Sequence, residues 1–171
     1  DDLVDVPDVN EPSDDDVDQY EGDENTDPPE ETLQGWVSGD DGTRYYIDNT
    51  FVVGEKKIDG YWYYFHSITG VMATGWSNHH NHTYFYQSNG RMYYGEKKIG
   101  SYWYYFKPVT GIMATGWATQ SDKPGKQYYY NARGQMQYGW QAIGNHSYFF
   151  DKVTGVMKPY AFVNTNGYWL G

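Results

Sequence analysis

The same 23-residue phrase occurs twice in this chain, and this repetition restricts the fold more than any other feature. GEKKIDGYWYYFHSITGVMATGW begins at Gly54 and GEKKIGSYWYYFKPVTGIMATGW begins at Gly95, with 17 of the 23 positions identical. Units of about 20 residues start at positions 35, 54, 75, 95, 116 and 139, and a partial seventh starts near Tyr160. A fixed short period is typical of repeat arrays, in which no unit buries its apolar face alone.

The five complete units from Gly54 onward have the same internal order of residues. A run of aromatic residues is followed by a turn ending in Gly, such as SITG or PVTG, and then by a short segment with one Met. Aromatic and β-branched residues on both sides of an Asn or Gly turn predict a β-hairpin. Because Gly recurs every few residues, helix is disfavoured. The sequence therefore predicts an all-β array of short hairpins.

Charge divides the chain into two parts. Residues 1–34 hold 15 of the 23 Asp and Glu and none of the 12 Lys and Arg, which leaves residues 35–171 with a net charge of +4. The first part has four Pro and few large apolar residues, so we expect a disordered acidic linker or tail over 1–34. Docking of this tail on the mildly basic remainder is the alternative. Residues 35–171 form the predicted binding domain.

Strand periodicity separates the aromatic residues into two sets. Successive side chains of a strand point to opposite faces, so Trp62 and Tyr64 share one face while Tyr63 and Phe65 share the other. In thin hairpins that bury little area, Tyr63 and Phe65 are expected to pack the stack. The other set is available to a ligand.

The segment from Gly60 to Trp76 carries a recognisable pattern, G-x-W-Y-Y-F, a Gly turn, and M-x-T-G-W. It resembles the cell-wall-binding or choline-binding repeat of Gram-positive surface proteins, lysins and phages, and is similar to glucan-binding repeats and to the C-terminal repeats of clostridial toxins. The resemblance covers residues 35–171. It implies a left-handed β-solenoid of stacked hairpins that holds ligands between successive hairpins.

In the choline-binding branch, the resemblance implies sites made from the Trp of W-Y-Y, the Trp of G-W and a Tyr of the next hairpin. The implied ligand residues share these positions or their repeat equivalents: Trp62, Tyr64, Trp76, Trp103, Tyr105, Trp117, Trp36 and Trp140. Other units have Arg44, Thr83, Gln127 and Ser147 in place of the first Trp, and Glu55 and Glu96 in place of the second. We therefore expect two or three sites, one per pair of hairpins, and a surface better suited to stacking saccharide than to caging choline.

Catalytic and metal sites are not expected. The stretch SNHHNHT places His80 and His82 on one face of a strand, but two His without a third ligand are a weak metal signal. Eight acids remain in the repeats, mostly at turns, and no Ser-centred elbow, phosphate loop or Cys nucleophile is present. A net charge of +4 over the repeats is also too small to indicate nucleic-acid binding. We expect no enzyme activity, no cofactor and no bound metal.

Three function classes remain from the sequence. The preferred one is a non-catalytic module on a secreted protein that binds the bacterial surface through wall glycan or teichoic acid, ahead of choline-decorated polymer. The second is a glucan- or host-glycan-binding receptor array like the toxin repeats. The third is a self-association module, since exposed hairpin edges and aromatic patches favour a homodimer. No apolar run long enough for membrane insertion is present.

Overall fold

The computed structural model describes residues 31–159 and the backbone of residues 162–163 and 169–170. The predicted acidic segment therefore lies outside the described residues except for its last four positions. Among the described residues no helix has the length and hydropathy needed to cross a membrane.

The predicted all-β array of hairpins is confirmed, and each of the first six hairpins begins at the Gly that marks its repeat. We number the antiparallel hairpins 1 to 7 along the chain. Their strands are β1 (Gly35–Gly39) and β2 (Gly42–Ile47) with β3 (Thr50–Phe51) added along β2, β4 (Gly54–Ile58) and β5 (Tyr61–Phe65), β6 (Gly75–His79) and β7 (His82–Tyr86), β8 (Gly95–Ile99) and β9 (Tyr102–Phe106), β10 (Gly116–Thr119) and β11 (Gln127–Tyr130), β12 (Gly139–Ile143) and β13 (His146–Phe150), and β14 (Phe162–Val163) and β15 (Trp169–Leu170).

Two-residue turns with positive φ close several of these hairpins. Asp59 and Gly60 have φ of 49° and 84°, and His80 and Asn81 have φ of 51° and 61°. Two consecutive residues of this kind are typical of a type I′ turn, whose twist matches that of the flanking strands. Asp, Asn, His and Gly tolerate this backbone region, so the local sequence fixes where each hairpin reverses.

Backbone hydrogen bonds join consecutive hairpins into a solenoid. The amide of Met92 donates to the carbonyl of Trp62 at 2.8 Å, and the amide of Met113 donates to that of Thr83 at 2.8 Å. Met113 also forms an isolated bridge with Phe106, the last residue of β9. The Met segment of each repeat is thus held by its own hairpin and by the preceding one. This double attachment explains why the units stack.

Aromatic rings fill the core of the stack. The last aromatic residue of the second strand is fully buried in hairpins 2 to 6: Phe65, Tyr86, Phe106, Tyr130 and Phe150. Each such ring buries roughly 150–250 Å² of surface. Tyr63, predicted to pack, is also buried. The short hairpins therefore obtain their stability from one large ring per unit and from its neighbours.

Candidate ligand-binding site

Strand register defines which residues are equivalent in the repeats. The second residue of the first strand pairs with the penultimate aromatic residue of the second strand, as Glu55 does with Tyr64. In hairpin 1 the same pairing joins Trp36 to Tyr45. The equivalent of Trp62 in hairpin 1 is therefore Thr43, and the prediction of Arg44 was wrong by one residue. The error has a structural cause. The repeats were aligned on the Gly turn that follows the second strand, and in hairpin 1 a two-residue turn leading into β3 takes the place of that turn.

Trp76 forms one wall of an aromatic corner between hairpins 3 and 4. Its indole lies 4.9 Å from the ring of Tyr104, measured between centroids, at an interplanar angle of 71°. The indole also contacts Phe85, its partner across the hairpin, at 5.4 Å and the buried Phe106 at 5.9 Å. Two rings that meet at a steep angle present two aromatic faces to one small volume. These contacts hold the indole in place while 43% of it stays exposed.

The same corner recurs at alternate joints of the stack. Trp36 lies 4.9 Å from Tyr63 at 61°, and Trp117 lies 4.8 Å from Tyr148 at 79°. We call Trp36–Tyr63 corner 1, Trp76–Tyr104 corner 2 and Trp117–Tyr148 corner 3. The Trp rings of corners 1 and 3 are 41% and 42% exposed, close to that of Trp76. Three repeat-equivalent Trp residues therefore have the same exposure and the same kind of partner.

A polar residue stands where a third aromatic wall would complete each corner. Register places Thr43, Thr83 and Gln127 at this position. In corner 2 the hydroxyl of Thr83 donates to Asn78 Oδ1 at 2.7 Å. Thr83 lines a groove of about 380 Å³ together with both corner rings, Met113 and Arg133. The groove thus combines two aromatic faces with a thioether, hydrogen-bonding groups and one cation.

Corner 1 also has an arginine beside its tyrosine. Arg91 Nε donates to the hydroxyl of Tyr63 at 3.4 Å, and the Arg91 guanidinium carbon lies 3.6 Å from the ring centroid of Tyr61. The hydrogen bond to Tyr63 is the main cause that raises the pKa of Arg91. A positive charge is therefore held next to two of the three corners.

The joint between hairpins 4 and 5 has a carboxylate in place of the corner Trp. Glu96 forms an ion pair with Lys123 Nζ, which lies 5.8 Å from the ring centroid of Tyr128. These three residues and Trp103 line a groove of about 220 Å³. Burial acts to lower the pKa of Lys123, but the hydrogen bond and charge of Glu96 outweigh it and raise that pKa. An ammonium group of the protein itself therefore lies between a carboxylate and an aromatic ring.

The joint between hairpins 2 and 3 has Glu55 at this position and a buried histidine beside it. His79 lies between the rings of Tyr64 and Tyr84, with centroid distances of 4.0 Å and 4.1 Å and nearly parallel planes. His79 Nε2 is 3.0 Å from the hydroxyl of Tyr86. Burial lowers the pKa of His79, and the charge of Glu55 only partly opposes this effect. At neutral pH the ring is therefore uncharged.

Tyr64 and Tyr105, two of the predicted residues, line a second pair of grooves. Tyr64, His66 and Trp76 line a groove of about 520 Å³, and its repeat equivalent of about 370 Å³ is lined by Tyr105, Lys107 and Trp117. The two tyrosines differ in exposure. Tyr105 is buried because the longer loop of hairpin 5 covers it, where the amide of Ser121 donates to its hydroxyl at 2.9 Å. Trp76 thus borders two grooves, its corner groove and this one.

The remaining predicted residues have different surroundings. Trp62 is exposed and pairs across its hairpin with Lys57, while Trp103 pairs with Lys98 and lines the Lys123 groove. Trp140 is exposed and lies 5.3 Å from Phe149. Sequence reasoning did not assign Tyr63, Tyr104 and Tyr148 to a ligand. These three tyrosines share one sequence feature, the middle position of the aromatic run. The side chain at this position contacts the corner Trp of the preceding hairpin.

Comparison with known proteins identifies relatives of this fold. A family model described as the choline-binding repeat matches residues 52–96, 73–116 and 114–162, more than half of the chain. The solved structure of choline-binding protein F from Streptococcus pneumoniae is similar with a TM-score of 0.70 and 29% identity, over 82% of this chain and 49% of that chain. CbpJ from Streptococcus pneumoniae TIGR4 gives a TM-score of 0.67 and 32% identity, over 80% and 48% of the two chains.

A third similar structure was obtained in the presence of a peptidoglycan analogue. Choline-binding protein F in the presence of a peptidoglycan analogue, a tetrasaccharide-pentapeptide, gives a TM-score of 0.67 and 27% identity, over 73% of this chain and 45% of that chain. This chain therefore spans less than half the length of each of these proteins. A comparison with curated proteins finds no match.

Proposed function

This chain belongs to the choline-binding repeat family, and from that membership we propose that residues 35–171 are a non-catalytic module that binds the wall polymer of a Gram-positive bacterium. The module retains the protein that carries it at the cell surface. The observation that carries the proposal is the recurrence of one Trp–Tyr corner at three equivalent joints. Residues 1–34 serve as its acidic linker or tail.

Choline is the chemical group that suits these corners best. A quaternary ammonium cannot donate hydrogen bonds, so aromatic faces hold it, each contributing roughly 0.5–2 kcal/mol. Trp76 and Tyr104 supply two faces, and Met113 lines the same groove. Arg133 is available to a phosphate. We therefore expect choline attached to a phosphate-containing wall polymer, such as a teichoic acid.

Two faces instead of three predict weak individual sites, which suits a repeated array. When several weak sites engage one polymer, the second binds at an effective concentration near millimolar. The avidity of the array for a choline-bearing wall then greatly exceeds the affinity of one site for free choline. Polar residues in place of the third aromatic face lower the affinity of each site but leave the number of corners unchanged. These residues are Thr43, Thr83 and Gln127.

The test is retention of the full chain on purified walls with and without choline. We expect binding to choline-bearing walls and release by free choline. Replacing all three corner Trp by Ala (W36A, W76A and W117A) should abolish retention, while Tyr102→Ala, which removes an exposed aromatic outside the corners, should preserve it. Retention on choline-free walls that choline does not reverse would contradict the proposed ligand.

A saccharide is the second candidate, favoured by the groove beside Tyr64 and Trp76. The groove of about 520 Å³ has the faces of Tyr64 and Trp76 for stacking and Asp41, His66 and Ser77 for hydrogen bonds to hydroxyl groups. Elution by a soluble glucan but not by choline would favour this ligand. If the ligand is a saccharide, replacing Trp76 or Tyr64 by Ala should cause loss of binding. Replacing Tyr104 by Ala should change the binding little.

A further inference from the structure

Two histidines and a glutamate converge at the joint between hairpins 2 and 3. Glu55 is the second residue of β4, His79 ends β6, and His80 opens the turn that follows. Their ligating atoms all lie within 4.8 Å of one another. We propose that Glu55, His79 and His80 form a binding site for a divalent transition-metal ion, with Zn²⁺ as the ion that fits the donor set.

The distances agree with tetrahedral coordination. Zinc bonds of about 2.0–2.1 Å place neighbouring ligand atoms of a tetrahedron about 3.3–3.4 Å apart. The Nδ1 atoms of His79 and His80 are 3.4 Å apart, and the rings are nearly perpendicular at 85°. Glu55 Oε1 is 3.9 Å from His79 Nδ1, and its partly exposed side chain can rotate to close the remaining gap. Three protein ligands leave one position for water.

The surroundings of His79 fix its ring in a ligating orientation. The rings of Tyr64 and Tyr84 hold the imidazole from both sides, and the hydroxyl of the buried Tyr86 engages Nε2. Metal-ligating histidines use their other ring nitrogen for this kind of hydrogen bond, which fixes the tautomer and the ring plane. Nδ1 is consequently left facing Glu55 and His80.

An equivalent joint shows that the stack does not need a histidine here. Between hairpins 4 and 5, Gln120 takes the place of His79 and donates from Nε2 to the hydroxyl of Tyr130 at 2.9 Å. The carboxylate of that joint, Glu96, is already paired with Lys123. The chain therefore contains the same tyrosine framework once with an imidazole near a carboxylate and once with an amide.

The experiment is a calorimetric titration of the full chain with zinc sulfate at pH 7.5, followed by Co²⁺ binding monitored by visible absorption. We expect saturation at one strongly bound Zn²⁺ and a tetrahedral Co²⁺ spectrum. Glu55→Gln and His79→Gln should each weaken this binding by more than about tenfold, as expected when a ligand is removed. His79→Gln reproduces the residue of the equivalent joint and should fold normally.

Glu96→Gln is the matched control, because it removes the equivalent carboxylate from a joint that has no histidine pair. Its zinc affinity should equal that of the unchanged chain. Absence of saturable zinc binding would overturn the proposal. So would unchanged affinity in both Glu55→Gln and His79→Gln, since the metal would then be bound by acidic residues elsewhere.

Discussion

Each corner tryptophan has both a packed surface and an exposed one. One side of Trp76 packs on Phe85 and Phe106, while the rest of its ring and the face of Tyr104 border an open groove. These two neighbours hold the indole in one orientation, so a ligand does not have to order it on binding. Rigid aromatic faces of this kind bind cations through ring electrostatics and need no hydroxyl group.

This reasoning separates the ring of Tyr104 from its hydroxyl. Tyr104→Phe keeps the aromatic face, so choline affinity at corner 2 should change by less than about twofold. Trp76→Ala removes one face, and a loss of roughly 0.5–2 kcal/mol corresponds to about a two- to thirtyfold weaker site. Titration calorimetry with free choline measures both. Equal losses in the two variants would mean that the hydroxyl of Tyr104, not its face, contacts the ligand.

At the scale of a hairpin, loop length decides whether a joint is open. Hairpin 5 has a longer connection between its strands than its neighbours, and this loop brings Lys123 to Glu96. The lysine ammonium occupies the groove that Trp103 and Tyr128 line. A cation supplied by the chain thus takes the position in which another cation could bind.

Removing this lysine should therefore create a choline site. In Lys123→Ala, the groove keeps Glu96, Trp103 and Tyr128, a carboxylate and two aromatic faces for a quaternary ammonium. Calorimetry should show one additional equivalent of bound choline. Lys126→Ala is the control, because Lys126 lines the same groove but leaves the Glu96–Lys123 pair in place. An unchanged stoichiometry in Lys123→Ala would show that the groove does not accept choline.

The Gly turns of the repeats also carry a packing role that a matched pair of variants can isolate. Gly111 and Gly116 have φ of 69° and 70°, but only at Gly111 would a Cβ overlap a side chain, that of Met92. Gly111→Ala should lower the free energy of unfolding more than Gly116→Ala, for which the backbone conformation alone costs roughly 1–2 kcal/mol. Urea unfolding measures the difference. Equal losses would mean that the Met92 contact adds nothing.

Much of this element-level organisation could be predicted from the sequence. The Gly markers gave the start of hairpins 1 to 6, because those positions depend on local backbone preference. The reversing turn was placed wrongly, since SITG and its equivalents follow the second strand, and hairpin 2 reverses at Asp59 and Gly60 instead. The corners could not be predicted in full, because Trp76 meets Tyr104 only through stacking of different repeats. The burial of Tyr105 depends on a loop sixteen residues away in the chain, at Ser121, and the contact of Glu55 with His79 depends on the fold bringing two strands together.

At the scale of the whole molecule, the proposed binding surface repeats with each pair of hairpins. Trp occupies the corner position in hairpins 1, 3, 5 and 6, while Glu occupies it in hairpins 2 and 4. Corners 1, 2 and 3 therefore recur with the period of the pair. Under the proposed function, a long polymer would contact several of them at once, whereas a free choline molecule would contact one.

A series of variants should reveal this difference between polymer and monomer. Removing one, two and then three corner Trp residues by Ala substitution should reduce the number of bound free choline molecules in equal steps. Retention on a choline-bearing polymer should instead fall steeply, because each lost site removes an intramolecular binding step that can be worth about 10²–10⁴ in avidity. Dissociation rates from immobilised polymer measure the second quantity. If those rates rose only in proportion to the number of sites lost, the three corners would be binding separate ligands, and the array would have no role beyond adding sites.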